Sequence, residues 1–232
     1  MTFNSLEFPL FFSAVVVGLC LLRSVHSRKL FLLVASWYFY SIWSVSFAGL
    51  LIMTALVHWL AGRINKTWTL WAAVGFSVAT LATFKYLGLW INSVVMPVGL
   101  SFYTFQAISY TVDVHRGVVD GKKTFWDVAL YIGFFPQLLS GPIVRSGDFL
   151  GQLAQNRGVT KDGLALGFGQ FAIGLFKKVF IADRMAVYVG DVFENCNLFG
   201  GATLWLAAIA YTIQIYCDFS GYSDMAIGTA KP

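Results

Sequence analysis

From Leu30 to Gly62 the chain carries no Asp, Glu, Lys or Arg, and basic residues stand at both ends of the stretch, Arg28 and Lys29 before it and Arg63 and Lys66 after it. A hydrocarbon core is crossed by roughly 20 residues of helix rising about 1.5 Å each. Basic flanks favour the cytosolic side, so a stretch with two of them must enter the membrane and return. It is therefore expected to hold two short helices with a turn near Ser44 to Ser46. Trp37, Tyr38, Tyr40 and Trp43 then fall near the turn, where aromatic rings favour the interface.

The same pattern recurs along the 232 residues, of which 58% are hydrophobic and 12% charged. Soluble domains carry roughly twice that charged share, so the chain reads as a polytopic membrane protein. Its net charge of +5 sits in short connections between apolar runs, as Arg23, Arg28 and Lys29 and then Arg63 and Lys66 show. That is an orientation signal rather than the clustered footprint of a nucleic-acid binder. Cys20, Cys196 and Cys217 are scattered, with no CxxC spacing, and His26, His58 and His115 are dispersed. Neither a disulfide framework nor a metal site is expected. Glu7 precedes the first apolar run and basic residues follow it, the reverse of a secretory leader. Phe8 to Leu22 reads as a retained first helix with its N-terminus outside.

Trp68 to Phe84 is a further span, closed by Lys85. Leu87 to Val112 is uncharged but interrupted by Pro97 and Gly99, which predicts a bend or a re-entrant piece. Phe125 to Arg145 contains Pro136 and Pro142 and is again expected to be broken. The loops on its two sides, Asp113 to Lys123 and Arg145 to Asp162, each carry a net positive charge of one. The segment is thus either a full crossing or a re-entrant one. Gly163 to Phe176 is a glycine-rich span ending at Lys177 and Lys178, with Gly163 and Gly167 spaced for close helix packing. The "GFGQFAIG" within it lacks the GxGxxG spacing and a preceding strand, so it is no nucleotide loop. Leu198 to Phe219 is the last apolar run. Asn65-Lys66-Thr67 matches a glycosylation sequon by chance in a basic loop. No internal repeat and no soluble domain boundary stands out.

Ionisable groups at membrane depth are costly and face a cavity or a partner. Asp218 follows the uncharged run 195–217. Gln214 and Tyr222 lie four residues to either side of it and share its helical face, provided the helix survives Gly221. Asp218 and Asp224, six residues apart, diverge by about 120° on a regular helix, so they do not form a facing catalytic pair. They either pair locally, with Ser220 and Ser223 bonding backbone at a break, or line a tunnel. Gln137, Ser140 and Arg145 surround the prolines of the broken segment, whose freed backbone groups need protein or water partners, so they either line a pore or active-site wall or mark a structural kink with an arginine at the interface. Tyr103, Gln106, Tyr110, Asp113 and His115 form a polar tail on the Leu87 run, with His115 at the interface. Lys177, Lys178 and Arg184 either mark orientation or grip the phosphates of a cytosolic donor. These features fit a transporter or channel subunit, an enzyme, or a non-catalytic accessory protein.

Four ordered motifs narrow the choice. "MPVGLSFYTFQAISYTVDVHRG" (Met96 to Gly117), "FFPQLLSGPIVR" (Phe134 to Arg145), "KKVFIADRMA" (Lys177 to Ala186) and "YTIQIYCDFSGYSDMAIGTAK" (Tyr211 to Lys231) resemble the membrane-bound O-acyltransferase (MBOAT) family. The resemblance points to its alginate O-acetylation branch, with the teichoic acid D-alanyl transferases as cousins, and is specific from about Met96 onward. It implies an all-α membrane bundle with broken or re-entrant helices around a tunnel, of which residues 1–232 would be the N-terminal part of one domain. It also implies acetyl-CoA as the acyl donor and no bound cofactor or metal. The acceptor would be an exported polysaccharide such as alginate, reached directly or through a periplasmic acyltransferase partner, from the bacterial inner membrane.

The family's catalytic histidine takes the proton of an acceptor hydroxyl as it attacks the thioester, and nearby donors stabilise the oxyanion. In the family that histidine lies in a Trp-Arg-Trp-His-like segment downstream of "DFSGYSDMAIG", and no such segment follows here. The resemblance therefore places the base beyond Pro232 and assigns it to none of the three histidines present. The chain is expected to be a fragment that lacks acyl transfer on its own. Asp218, Ser220, Tyr222, Ser223 and Asp224 then look like the family's polar wall, with Gln214 a further tunnel-lining candidate by its spacing from Asp218.

Overall fold

A computed structural model describes residues 3, 5–87, 95–139, 141–155 and 158–231. Among them every regular element is helical. The chain resolves into two compact units, one made mainly of Leu10–Val159, the other of Thr2–Pro9 with Thr160–Pro232.

In the first unit, α1 (Glu7–Leu21) leads to α2 (Val25–Ser41) and α3 (Val45–Ile64). The turn between α2 and α3 falls at 42–44, as the doubly flanked apolar stretch requires. Tyr40 does not join the interfacial aromatics. It is fully buried and its hydroxyl donates to the Val98 carbonyl at 2.8 Å, while Tyr38 and Trp43 remain exposed. α3 ends on Asn65, whose φ of 48° is the left-handed conformation that closes helices. α4 (Thr67–Ala82) runs on as a π-turn, Thr83–Leu87. Of the next apolar run, residues 88–94 lie outside those described. Residues 95–99 are non-helical, and α5 (Leu100–His115) starts only after Gly99. Gly99 has φ 74°, and a Cβ there would collide with the Leu138 carbonyl, so glycine is required twice over.

The segment around Pro136 is broken as expected. α6 (Phe125–Gly133) stops at Phe134, and α7 (Phe135–Leu138) is one turn long with Pro136 near its start. A continuous helix would send the Phe135 amide to the Tyr131 carbonyl. That amide instead donates to Ser36 Oγ at 3.1 Å. The freed Tyr131 carbonyl accepts from the side-chain amides of Gln106 at 3.1 Å and Gln137 at 2.6 Å. An orphaned buried carbonyl would cost about 1–3 kcal/mol, so two glutamines and a serine are what make the break tolerable. At the other end of α6, Lys29 bonds Asp127 at 2.7 Å and Thr124 caps the helix onto the same carboxylate. Desolvation opposes ionisation of Asp127, but the hydrogen bonds from Lys29 and Thr124 outweigh it and hold the carboxyl below its usual range. A short helix, α8 (Ser146–Leu153), follows; its first residue, Ser146, donates to Asp113 on α5.

His58 lies at the centre of α3, α4 and α5. Its Nδ1 meets Thr111 Oγ1 at 2.6 Å and its Nε2 meets Ser77 Oγ at 2.7 Å, and the ring is fully buried. With one hydroxyl at each ring nitrogen, a neutral imidazole ties three helices together.

The second unit is built on α9 (Lys161–Phe176), a π-turn (Lys177–Ala182), α10 (Asp183–Glu194) and α11 (Gly201–Ala230). The helical path does not end at Lys177 and Lys178, as the charges suggested. The π-turn carries it on through α10, so that 161–194 is one 34-residue helical run. This run and α11 are long and apolar enough to cross a membrane, as are 45–64 and 67–86. α9 and α11 approach at two points. A Cβ on Gly174 would lie 2.5 Å from the Gly221 carbonyl, and one on Gly228 would lie 2.5 Å from the Gly167 carbonyl. The pairing order reverses, so the helices are antiparallel. Gly167 and Gly174 on α9 both lie against glycines of α11, a spacing of seven that the sequence did not single out beside Gly163 and Gly167. Phe3 and Phe8 belong to this unit, packing on Tyr222 and Phe171 at ring distances of 4.8 and 5.8 Å.

The close approach predicts opposite outcomes for two alanine substitutions. Gly174→Ala should lower stability by about 1–3 kcal/mol, because backbone must move to admit the methyl group. Gly190→Ala on α10, where nothing lies within 4 Å, should be neutral or gain up to about 1 kcal/mol. Unfolding of the detergent-solubilised variants measures both.

Candidate functional site

α11 is unbroken through Gly221, so Gln214, Asp218 and Tyr222 do share a face. Asp218 and Asp224 diverge as their spacing requires, and two consecutive lysines of the π-turn meet them. Lys177 Nζ bonds Asp224 at 2.6 Å and Ser220 Oγ at 3.0 Å. Lys178 Nζ bonds Asp218 at 2.5 Å and Asp183 at 3.0 Å. Adjacent helical residues point about 100° apart, close to the divergence of the two aspartates, which is why neighbouring lysines can serve both. Gln170 adds a bond from Nε2 to Asp224 at 3.3 Å. The two pairs flank the contact between Gly174 and Gly221, where the backbones are near enough for short bonds to form.

The depth of this seam is set by helix length. Lys177 and Lys178 are at the middle of the 34-residue run. At about 1.5 Å per residue, Asp218 lies about 4 Å from the midpoint of α11. Asp224, six residues further on, lies about 13 Å from that midpoint, toward the edge of an apolar core about 30 Å thick. The Lys177–Asp224 pair is mostly covered, at 29% and 21% side-chain exposure, but Asp218 is 53% exposed. A carboxylate that open cannot face hydrocarbon and needs water or further protein beside it.

The remaining candidates divide between the units. In the second, Ser223 and Tyr222 are half-buried on α11, Arg184 is exposed, and the buried Oε1 of Gln214 has no hydrogen-bond partner among the described residues. In the first, Gln137 is buried and spent on the Tyr131 carbonyl, and Arg145 is exposed at the start of α8. Ser140 lies outside the described residues. Gln170 and Asp183 were missed as seam partners, and the only sequence signal for them was their closeness to Lys177 and Lys178 in the chain. Ser36, Ser77 and Thr111 were missed as well, because a lone hydroxyl in an apolar run reads as ordinary composition.

No family model matches the chain. Individual relatives do. The probable alginate O-acetylase AlgI of Pseudomonas putida is 38% identical over 98% of this chain and 52% of its own length. That of Pseudomonas aeruginosa is 37% identical over 98% of the chain and 48% of its own length. The chain belongs to the alginate O-acetylase branch of the membrane-bound O-acyltransferases. The likeness extends along nearly the whole chain, well before Met96. A peptidoglycan O-acetyltransferase of Helicobacter pylori is 31% identical over 86% of the chain. The chain spans about half the length of the curated relatives it matches.

For this O-acetylase relative, the seam yields a double-mutant prediction. Lys177→Met should cost about 1–3 kcal/mol, less than the roughly 3–5 kcal/mol of a fully buried pair because both ends keep some exposure. Adding Asp224→Leu should restore most of the loss, since it removes the stranded charge. Equilibrium unfolding of the single and double variants in detergent gives the coupling energy.

Proposed function

We propose that the chain acts within an O-acyltransferase of the bacterial inner membrane. The enzyme takes an acetyl group from a cytosolic thioester, acetyl-CoA, and passes it toward an exported polysaccharide, directly or through a periplasmic acyltransferase partner. The observation that carries this reading is the 36–39% identity over 98% of the chain to five proteins named as alginate O-acetylases. The Helicobacter relative is named for peptidoglycan and a more distant Bacillus subtilis one for teichoic acid. That supports a polymer of the cell exterior as acceptor, with alginate as one instance.

In this reading the α11 face of Gln214, Asp218 and Tyr222, with Ser223 beside it, forms the polar side of the acyl path, while Ser220 and Asp224, turned to Lys177, hold the seam behind it. The half-exposed Asp218 at mid-helix and the unpartnered Gln214 oxygen support a wet or substrate-filled space beside them. Lys177 and Lys178 hold the carboxylates in place, and those ion pairs compete with a grip on donor phosphates. Acyl transfer also needs a base for the acceptor hydroxyl as its oxygen attacks the thioester carbonyl and the thiolate leaves. His58 is a poor candidate, since both ring nitrogens are occupied and the ring is sealed from solvent. His26 and His115 are exposed at helix ends. We assign the base to residues outside these 232.

The test is a chimaera that joins this chain to the second half of the Pseudomonas aeruginosa relative, in a strain deleted for that relative's gene. The expected result is acetyl ester on the secreted polysaccharide from the chimaera and none from the 232 residues alone. A chimaera that accumulates in the membrane at the parental level yet forms no ester contradicts the proposal. So does ester formed by the chain alone, which would return the base to one of its own histidines.

A further inference from the structure

The first unit has a groove apart from the seam, about 440 Å³ in volume, lined by Val25, His26, Lys29, Leu30, Thr124, Trp126 and Asp127. It opens where α2 and α6 begin, among the basic connections. Its volume falls in the range of roughly 300–1,000 Å³ typical of ligand sites. We propose that this groove is a headgroup site for an anionic phospholipid of the leaflet on the basic side of the chain.

Three observations carry the assignment. The first is the amphipathic lining. Val25, Leu30 and Trp126 make an apolar wall, and Leu30 and Trp126 stay 43% and 48% exposed, as residues at a lipid boundary do. His26 and Lys29 make the polar end. The second is unspent donor capacity. An ammonium has three protons, and Lys29 gives one to Asp127. Both Asp127 oxygens are occupied, one by Lys29 and the other by Thr124. The carboxylate therefore fixes the lysine in place, and the remaining ammonium protons are left for an incoming phosphate. The third is local charge. The two segments that supply the groove, residues 22–30 and 118–127, carry five Lys and Arg against two Asp. Basic pockets at the cytoplasmic ends of membrane helices attract anionic headgroups. An anionic phosphodiester with apolar tails matches all three features. A soluble phosphate uses only the polar end.

The test titrates the purified chain in neutral detergent with short-chain phosphatidylglycerol, phosphatidylcholine and glycerol 3-phosphate. It follows the thermal midpoint and, by native mass spectrometry, the lipid retained. Phosphatidylglycerol should stabilise at concentrations about fivefold lower than phosphatidylcholine, the factor expected for one cation near a headgroup. Lys29→Gln combined with Asp127→Asn keeps a neutral hydrogen-bonding pair and should abolish that preference. His26→Ala changes an exposed side chain, tolerates any folding defect of the double variant, and should weaken the preference as well. Equal response to the two lipids, or a preference intact in both variants, overturns the site. Equal stabilisation by glycerol 3-phosphate overturns the lipid as its occupant.

Discussion

Hydrocarbon offers no water to a polar group, and that constraint explains more of this molecule than its apolar packing does. Helix breaks and ionised side chains there need a partner in the protein or a water-filled space. In the first unit the break at Phe134 is paid for by Ser36, Gln106 and Gln137, and His58 is balanced between two hydroxyls. In the second unit the same demand produces the paired lysines and aspartates.

Glycine and charge act together in that second unit. Without side chains at Gly174 and Gly221 the two backbones come close enough for Lys177 to reach Ser220 and Asp224 at once. The π-turn supplies the extra residue that aims two successive lysines at two carboxylates on one neighbouring helix. A substitution that widened the crossing would therefore be felt as lost packing and as stranded charge. The pairing leaves Asp218 half-open while Asp224 is mostly covered.

Much of the membrane organisation was legible in the sequence. Apolar length and flanking charge located the α2–α3 hairpin and its turn, and the prolines marked the breaks near Pro97 and Pro136. The angular divergence of Asp218 and Asp224 ruled out a facing pair. What could not be read were long-range partners. Lys177 and Lys178 look like orientation charges because local sequence cannot show that a π-turn carries the helix past them to Glu194. Gly163 and Gly167 stand out as a packing motif, but that Gly174 and Gly167 meet Gly221 and Gly228 depends on a partner helix distant in the chain. Tyr40 resembles its interfacial neighbours, and only the distant Val98 carbonyl reveals that it turns inward.

The central claim is that Asp218 and Asp224 of α11 are held by the π-turn lysines. Solid-state recoupling between lysine ¹⁵Nζ and aspartate ¹³Cγ in the chain reconstituted in bilayers tests it most directly, with signals assigned by their loss in Asp224→Asn and Asp218→Asn. The account predicts dephasing of the Lys177 signal that is lost in Asp224→Asn and dephasing of the Lys178 signal that falls in Asp218→Asn to what Asp183 leaves, while the Lys29–Asp127 contact persists in both. Dephasing that is unchanged in both variants would contradict it, because the lysines would then be paired elsewhere.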